Sequence, residues 1–286
     1  MTEKNHAVSV RGRLLDRARR EGADFQRLLV RYAIERLLHR LSISEHADDF
    51  VLKGATLFAL WLGKPHRATR DLDLLGWGDP DVDRFVAVLR EVCSVPCPED
   101  GMVFDRDAIT GHPIREDAAY AGVRVNVPGQ LAGAKVKVQV DIGLGDAIVP
   151  APALVEVVSL LDLPSSRLRA YAGETVVAEK LEALVVLGLT TSRMKDLYDL
   201  DLLRKRFALD SDTLVASVRA TFSRRGTPIP VDVPVGLTDR FAADESKRTQ
   251  WAAFLRKATD QEELDLAEVV GGLREWLLPV LECARD

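Results

Sequence analysis

The chain has 286 residues, of which 47% are hydrophobic and 29% are charged, and its formal net charge is −5. This composition is typical of a water-soluble globular protein with one large or two smaller domains, and the acidic balance excludes a uniformly basic nucleic-acid-binding coat. No segment has the length of a membrane span and the N-terminus has no apolar signal-like core, so we expect a cytoplasmic protein without a membrane partner.

Residues 8–41 are predicted to form two helices that separate near Gly22. Arginines crowd the first helix, and apolar residues recur at helical spacing in the second. Residues 1–40 hold ten Lys/Arg against five Asp/Glu, which gives this arm a charge of +5 in an acidic protein. Because arginine pairs well with phosphate, we predict that Arg13, Arg17 and Arg20 bind RNA. The alternative is that these arginines only solvate the helix.

A turn of small residues, Gly54-Ala55-Thr56, follows the short apolar run that ends at Lys53. The apolar segment Leu57–Leu62 behind it is predicted to be a short helix. With no large side chain at Gly54 or Ala55, backbone N–H groups and the Thr56 hydroxyl can approach a phosphate at the start of that helix.

Two aspartates lie two residues apart in Asp71-Leu72-Asp73-Leu74-Leu75, which is predicted to be a strand. Alternation on a strand sends Asp71 and Asp73 to the same face. Their carboxylates repel each other unless a positive charge lies between them, and a hard divalent cation such as Mg²⁺ suits oxygen ligands that share a site with phosphates. An isolated Asp-x-Asp is more often a pair of solvated residues, so the motif alone is weak.

Valines alternate with polar residues at 123–127 and again at 136–140, on either side of a Pro/Gly-containing segment, which predicts a hairpin. Asp141 ends the second of these strands and is positioned to join Asp71 and Asp73.

From Gly173 the pattern becomes helical. Lys180 lies there in an otherwise apolar segment, and the string Arg193-Met-Lys-Asp-Leu-Tyr-Asp-Leu follows it.

The order of these motifs resembles the polymerase-β-like nucleotidyltransferases, in particular their AbiEii (MenT-type) toxin branch. The resemblance covers nearly the whole chain, with Ala55 standing where the family usually has Gly or Ser. It implies an α+β fold with a polymerase-β-like core (a small mixed sheet with helices) and a helical C-terminal half. The implied parts are N-terminal helices at 1–45, the core at 46–165 and a helical region at 166–286. The residues that carry the resemblance are Lys53-Gly54-Ala55-Thr56, Arg67, Thr69, Arg70-Asp71-Leu72-Asp73, Asp141, Lys180-Leu181 and Arg193-x-Lys195-Asp196-x-x-Asp199.

The resemblance also implies an enzyme that uses Mg²⁺ or Mn²⁺ to transfer a nucleoside monophosphate from a nucleoside triphosphate to an acceptor. The implied acceptor is the 3′ end of tRNA or another RNA, the effect is blocked translation, and a cognate antitoxin restrains the activity. The implied metal ligands are Asp71, Asp73 and Asp141, which act in catalysis with Lys180 and Asp196. The implied nucleotide and phosphate contacts are Lys53, Gly54, Ala55, Thr56, Arg70 and Lys195.

Two other classes of function stay open from the sequence. A glycosyltransferase also uses Asp-x-Asp to hold a metal–nucleotide-sugar complex, although such an enzyme is expected to begin with a nucleotide-binding βα repeat and this chain begins with helices. A non-catalytic nucleotide-binding or partner-binding module is the second alternative, which the departure at Ala55 supports.

Overall fold

The computed structural model describes residues 3–63, 69, 71–116, 120–258 and 264–285. The chain forms two compact units. The first comprises Met1–Gly145 with Ala153–Ala170, and the second comprises Asp146–Pro152 with Tyr171–Asp286. Within the described residues, no helix is both long enough and apolar enough to cross a bilayer.

The first unit begins with two helices, α1 (Glu3–Glu21) and α2 (Phe25–Ser42). The Asp24 carboxylate accepts a hydrogen bond of 2.8 Å from the Arg27 N–H, which caps the start of α2. Apolar residues such as Leu29 and Leu37 bury one face of α2. The segment after Ser42 forms turns rather than the short helix that its Ser-x-x-Glu pattern favours.

A mixed sheet forms the core of this unit. Within the described residues its eight strands are β1 (Val51–Lys53), β2 (Asp71–Gly76), β3 (Met102–Phe104), β4 (Thr110–Glu116), β5 (Tyr120–Leu131), β6 (Ala134–Leu144), β7 (Ala153–Val157) and β8 (Ser166–Ala170). Their order in the sheet is β3-β5-β6-β2-β1-β8-β7, and β4 also pairs with β5. The pairs β2–β6 and β1–β8 are parallel, and the other pairs are antiparallel.

The predicted hairpin is present as β5 and β6, but its turn is tighter than the Pro/Gly segment suggests. Strand β5 continues through Pro128 to Leu131, and the turn consists of Ala132 and Gly133, both with positive φ (44° and 82°). A two-residue turn of this kind matches the twist of the strands that it joins. The long hairpin therefore places β6 beside β2 in the middle of the sheet.

Two further helices of the first unit are α3 (Ala55–Leu62) and α4 (Val82–Ser94). Helix α4 begins two residues later than the Asp79-Pro80 pair indicates, because Asp81 is its N-cap and accepts from the N–H groups of Asp83 and Arg84. A short 3₁₀ helix, Pro98–Asp100, follows α4. The Asp100 carboxylate is fully buried and accepts two hydrogen bonds from Arg40.

The second unit is helical, which confirms the predicted α+β class with a helical C-terminal half. Short 3₁₀ helices, Gly188–Thr190 and Val235–Leu237, interrupt it. The segment 225–238 is anchored to the rest of this unit, since Arg225 pairs with Glu182 at 2.7 Å and Leu237 is fully buried. The helices are α5 (Gly173–Leu187), α6 (Met194–Arg206), α7 (Ser211–Arg224), α8 (Asp239–Ala243), α9 (Glu245–Leu255) and α10 (Leu266–Arg285).

Candidate active site

Four charged residues form one row across the middle of the sheet. Lys53 on β1 is opposite Asp73 on β2, Asp73 is opposite Asp141 on β6, and Asp141 is opposite Arg124 on β5. Residues directly opposite each other point to the same face, so the row presents two carboxylates between two cations. Asp71 is opposite Gln139 in the row two residues away. The fold thus brings together the three aspartates that the sequence suggested.

The turn that precedes α3 packs directly against this row. Gly54 has φ +72°, and a Cβ atom added there would lie 1.9 Å from Oδ2 of Asp73 and 2.5 Å from its Cγ. Only glycine fits such a close approach at this backbone conformation. Ala55 is buried, and Thr56 lies half-buried in the first turn of α3. The predicted phosphate-binding turn therefore adjoins the carboxylate of Asp73.

Asp141 is held by a side chain that the sequence did not single out. Arg124 donates from Nε to Oδ1 at 2.7 Å and from Nη2 to Oδ2 at 2.6 Å, and Gln139 donates to Oδ2 at 3.2 Å. The valine alternation places Arg124 on the polar face of its strand. Only the register of the hairpin, which is a property of the sheet, puts it opposite Asp141.

The chemistry of this face suits a hard divalent cation. Asp71, Asp73 and Asp141 offer carboxylate oxygens, which are the donors that Mg²⁺ and Mn²⁺ prefer. Within the described residues, two other groups of three side chains have possible metal-donor atoms that all lie within 4.8 Å of one another inside each group. The three aspartates do not form such a compact group. Those two groups are His39–Cys97–Glu99 and Glu45–His46–Glu91.

Lys180 and Asp196 lie together in the second unit. The Lys180 Nζ atom donates to Oδ1 of Asp196 at 2.5 Å and lies 2.9 Å from Oδ2 of Asp199. The two aspartates are three residues apart on α6 and so share a face. The Lys180 side chain is only 14% exposed and Asp199 is fully buried. This lysine is therefore part of a buried ion triad and does not extend its amine into solvent.

The remaining predicted residues differ in their surroundings. Lys195 is exposed in the first turn of α6. Arg13 and Arg17 each donate to a main-chain carbonyl, whereas Arg20 is exposed. Arg67 and Arg70 lie outside the described residues.

Comparison with known proteins agrees with the fold and the motifs. The family model "Nucleotidyl transferase AbiEii toxin, Type IV TA system" matches residues 36–272. A search of curated proteins finds no matching sequence.

Solved structures from Helicobacter pylori share the fold at low sequence identity. One is a crystal structure provisionally described as a nucleotidyltransferase, with TM-score 0.52 and 18% identity, covering 91% of this chain and 96% of that one. Another, JHP933, gives TM-score 0.51 and 18% identity, with 91% and 94% of the chains covered. The family match spans well over half of the chain and includes the aspartates of the row together with Lys180 and Asp196. The chain belongs to the AbiEii nucleotidyltransferase toxin family of type IV toxin–antitoxin systems.

Proposed function

We propose that this protein transfers a nucleoside monophosphate from a nucleoside triphosphate to the 3′ end of a tRNA, and that it blocks translation by doing so. The observation that carries the proposal is the row Lys53–Asp73–Asp141–Arg124, with the glycine turn packed against it. Family membership supports nucleotidyl transfer over the glycosyl transfer that Asp-x-Asp also permits, and it implies an antitoxin partner.

The aspartates would hold the cation that this reaction needs. Asp71, Asp73 and Asp141 are the ligands that we assign to Mg²⁺, with Mn²⁺ as a substitute. When bound, the ion neutralises phosphate charge and aligns the attacking and leaving oxygens. The acceptor hydroxyl gives up its proton to water as its oxygen bonds to the α-phosphorus, the bond from that phosphorus to the oxygen bridging to the β-phosphate breaks, and pyrophosphate leaves.

Other residues of the chain bind and orient the substrate in this proposal. The turn at Gly54-Ala55-Thr56 offers main-chain N–H groups and a hydroxyl to the phosphates, as helix starts commonly do. Lys53 lies directly opposite Asp73 and adds a positive charge beside the same carboxylate. Arg70 and Lys195 are further phosphate contacts in the proposal.

Lys180, Asp196 and Asp199 act in this proposal as one ionic group. The Lys180 ammonium contacts Asp196 and Asp199, and in this proposal it reaches the triphosphate by leaving its contact with Asp196. We therefore assign to Asp196 the role of holding Lys180 until substrate binds.

The proposal is tested by incubating the full chain with Mg²⁺, each α-labelled nucleoside triphosphate in turn, and total RNA. We expect one nucleotide to label an RNA of tRNA size, and we expect chelation to abolish the label. Asp73→Asn serves as the inactive control. Labelling that persists undiminished in Asp73→Asn and in Asp71→Asn would contradict the assigned mechanism.

A second candidate, nucleotide binding without transfer, is favoured by one observation. Arg124 engages both oxygens of Asp141, the third assigned metal ligand. A non-catalytic module would bind labelled triphosphate in the presence of Mg²⁺ and release no pyrophosphate. Measuring binding and pyrophosphate release in the same samples separates the two candidates.

A further inference from the structure

Three arginines of α1 line a single cleft in the sheet-containing unit. Arg13, Arg17 and Arg20 share a face of the helix because their spacing is four and then three residues. The opposite wall is the segment Leu160–Asp162, and the cleft has a volume of about 500 Å³. A cavity of this size falls within the range that binds small ligands and short polymer segments.

Main-chain carbonyls fix two of these guanidinium groups at the wall of the cleft. Arg13 donates from Nη1 to the Leu161 carbonyl at 3.2 Å, and Arg17 donates from Nη1 to the Leu160 carbonyl at 2.6 Å. Arg17 also donates from Nε to Glu21 at 2.7 Å. A guanidinium carries five N–H donors, so both side chains are positioned by the protein and retain donors for a ligand.

A fourth arginine lies close to the cleft. Burial and then the charge of Arg17 lower the pKa of Arg31, while Glu35 and Glu21 act in the opposite direction. Arg31 of α2 is half-buried, and in the described part of the chain no carboxylate forms an ion pair with it. Its positive charge beside Arg17 is available to an anion that enters the cleft.

The local charge also favours an anion. Three arginines line the cleft together with two carboxylates, Asp16 and Asp162, which leaves +1 among the lining residues of a protein whose net charge is −5. Asp16 also pairs with the highly exposed Arg19 at 3.2 Å, and Arg19 does not line the cleft. The cleft is thus a local positive site on an acidic molecule.

We propose that this cleft binds phosphate groups of the RNA acceptor, with Arg13 and Arg20 donating to phosphate oxygens and Arg31 adding positive charge behind them. Guanidinium groups match phosphate oxygens in geometry and in charge. An RNA strand is narrow enough to lie inside a concave cleft. A folded acidic protein presents a convex surface, which would contact mainly the rim of the cleft. The inference rests on the proposed function only for the identity of the polyanion.

The test measures RNA binding in the absence of chemistry. The full-length Asp73→Asn variant is titrated with a labelled RNA hairpin that has a single-stranded 3′ end, without triphosphate, at several salt concentrations. Arg20→Ser is compared with Arg19→Ser, a matched control that removes the same charge from the next residue of the same helix. We expect Arg20→Ser to weaken binding several-fold and to lower the salt slope by roughly 0.7, the value of one phosphate contact on a single strand. We expect Arg19→Ser to leave both the RNA affinity and the salt slope nearly unchanged.

Arg31 provides an independent check, and substitutions of similar size suit its partly buried position. Arg31→Lys keeps the charge and should bind RNA within about twofold of the parent, whereas Arg31→Gln should weaken binding as Arg20→Ser does. Circular dichroism of each variant establishes that the fold is kept. Equal effects of Arg19→Ser and Arg20→Ser would show diffuse attraction and overturn the assignment of the cleft.

Competition identifies the source of the anion. Unlabelled RNA should displace the probe far more effectively than inorganic phosphate or an acidic polyglutamate peptide. A peptide that competes as well as RNA would overturn the RNA assignment in favour of an acidic protein partner. If the protein transfers no nucleotide but its RNA binding still depends on Arg20, the proposed function is contradicted and the assignment of the cleft stands. If the protein transfers nucleotide to RNA and Arg20→Ser changes neither this transfer nor RNA binding, the assignment of the cleft is contradicted and the proposed function stands.

Discussion

Arg124 and Asp141 face each other across β5 and β6, and the guanidinium contacts both carboxylate oxygens at 2.7 and 2.6 Å. Asp141 also lies directly opposite Asp73. The arginine therefore compensates one of two adjacent negative charges. A metal ion bound by Asp141 would use the same oxygens, so we expect Arg124 and the metal to compete for this carboxylate.

This competition predicts how Arg124→Gln responds to metal. Without metal, the variant should lose about 1–3 kcal/mol of stability, because Asp141 is left beside Asp73 with less compensation. Mg²⁺ or Mn²⁺ should raise the melting temperature more in the variant than in the wild type. Thermal melts with and without metal check this, with the exposed Arg90→Gln as control. Equal metal-induced shifts in both proteins would show that Arg124 and the metal do not compete.

The paired aspartates are expected to be essential for transfer. Asp71→Asn and Asp73→Asn keep the side-chain size and remove the charge, so activity should fall by several orders of magnitude while the fold persists. Single-turnover transfer and circular dichroism measure the two effects. Asp79→Asn, an exposed residue beyond β2, is the control and should retain full activity.

The close approach of Gly54 to Asp73 predicts a site-specific clash. In Gly54→Ala the new Cβ would lie 1.9 Å from the Asp73 carboxylate, so Asp73 must move and activity should be lost, with stability lower by roughly 1–3 kcal/mol. Gly63 has a similar φ of +69°, and no atom of the described residues lies within 4 Å of a Cβ atom added there. Gly63→Ala therefore reports the cost of a positive φ without a clash with Asp73, and near-equal activities of the two variants would refute the steric explanation.

The buried triad of Lys180 makes a joint prediction about stability and activity. Lys180→Ala leaves the fully buried Asp199 without its ammonium partner, which should destabilise the protein by about 3 kcal/mol or more, and it should abolish transfer. Lys180→Arg keeps the charge and should be milder in both respects. Lys195→Ala is the exposed comparison, for which we expect a higher KM for the triphosphate and unchanged urea unfolding. Wild-type turnover in Lys180→Ala would assign this lysine a purely structural role.

His46 gives the first unit a pH-dependent contribution to stability. Burial lowers its pKa, but hydrogen bonds to Asp49 and Glu91, both 2.8 Å long, outweigh burial, so the pKa is raised above 6.5. The contribution is fully present below the unfolded pKa and is lost as the pH rises through the folded value. His46→Gln should therefore cost roughly 0.2–1 kcal/mol more at about pH 5.5 than at about pH 8.5. Urea unfolding at both values tests this, with the exposed His112→Gln as control, and a cost independent of pH would contradict it.

The sequence by itself determined the local features of this protein. Alternation placed Asp71 and Asp73 on one strand face, helical spacing identified α2 and α5, and the motif order pointed to the AbiEii family, which the family match confirms. These features are readable because side-chain direction repeats every two residues in a strand and every 3.6 in a helix. Boundaries were less accurate, as at the hairpin turn and at the start of α4, where a cap or a turn residue decides the end.

Only the tertiary structure decided which charged groups meet. Whether Arg124 faces Asp141, and whether Lys53 faces Asp73, depends on strand register, since a shift of one residue turns a side chain to the other face. The contact of Lys180 with Asp199 and the proximity of Arg31 to Arg17 likewise require packed helices. Such pairings are set by long-range packing of the whole core, which no local pattern in the sequence encodes.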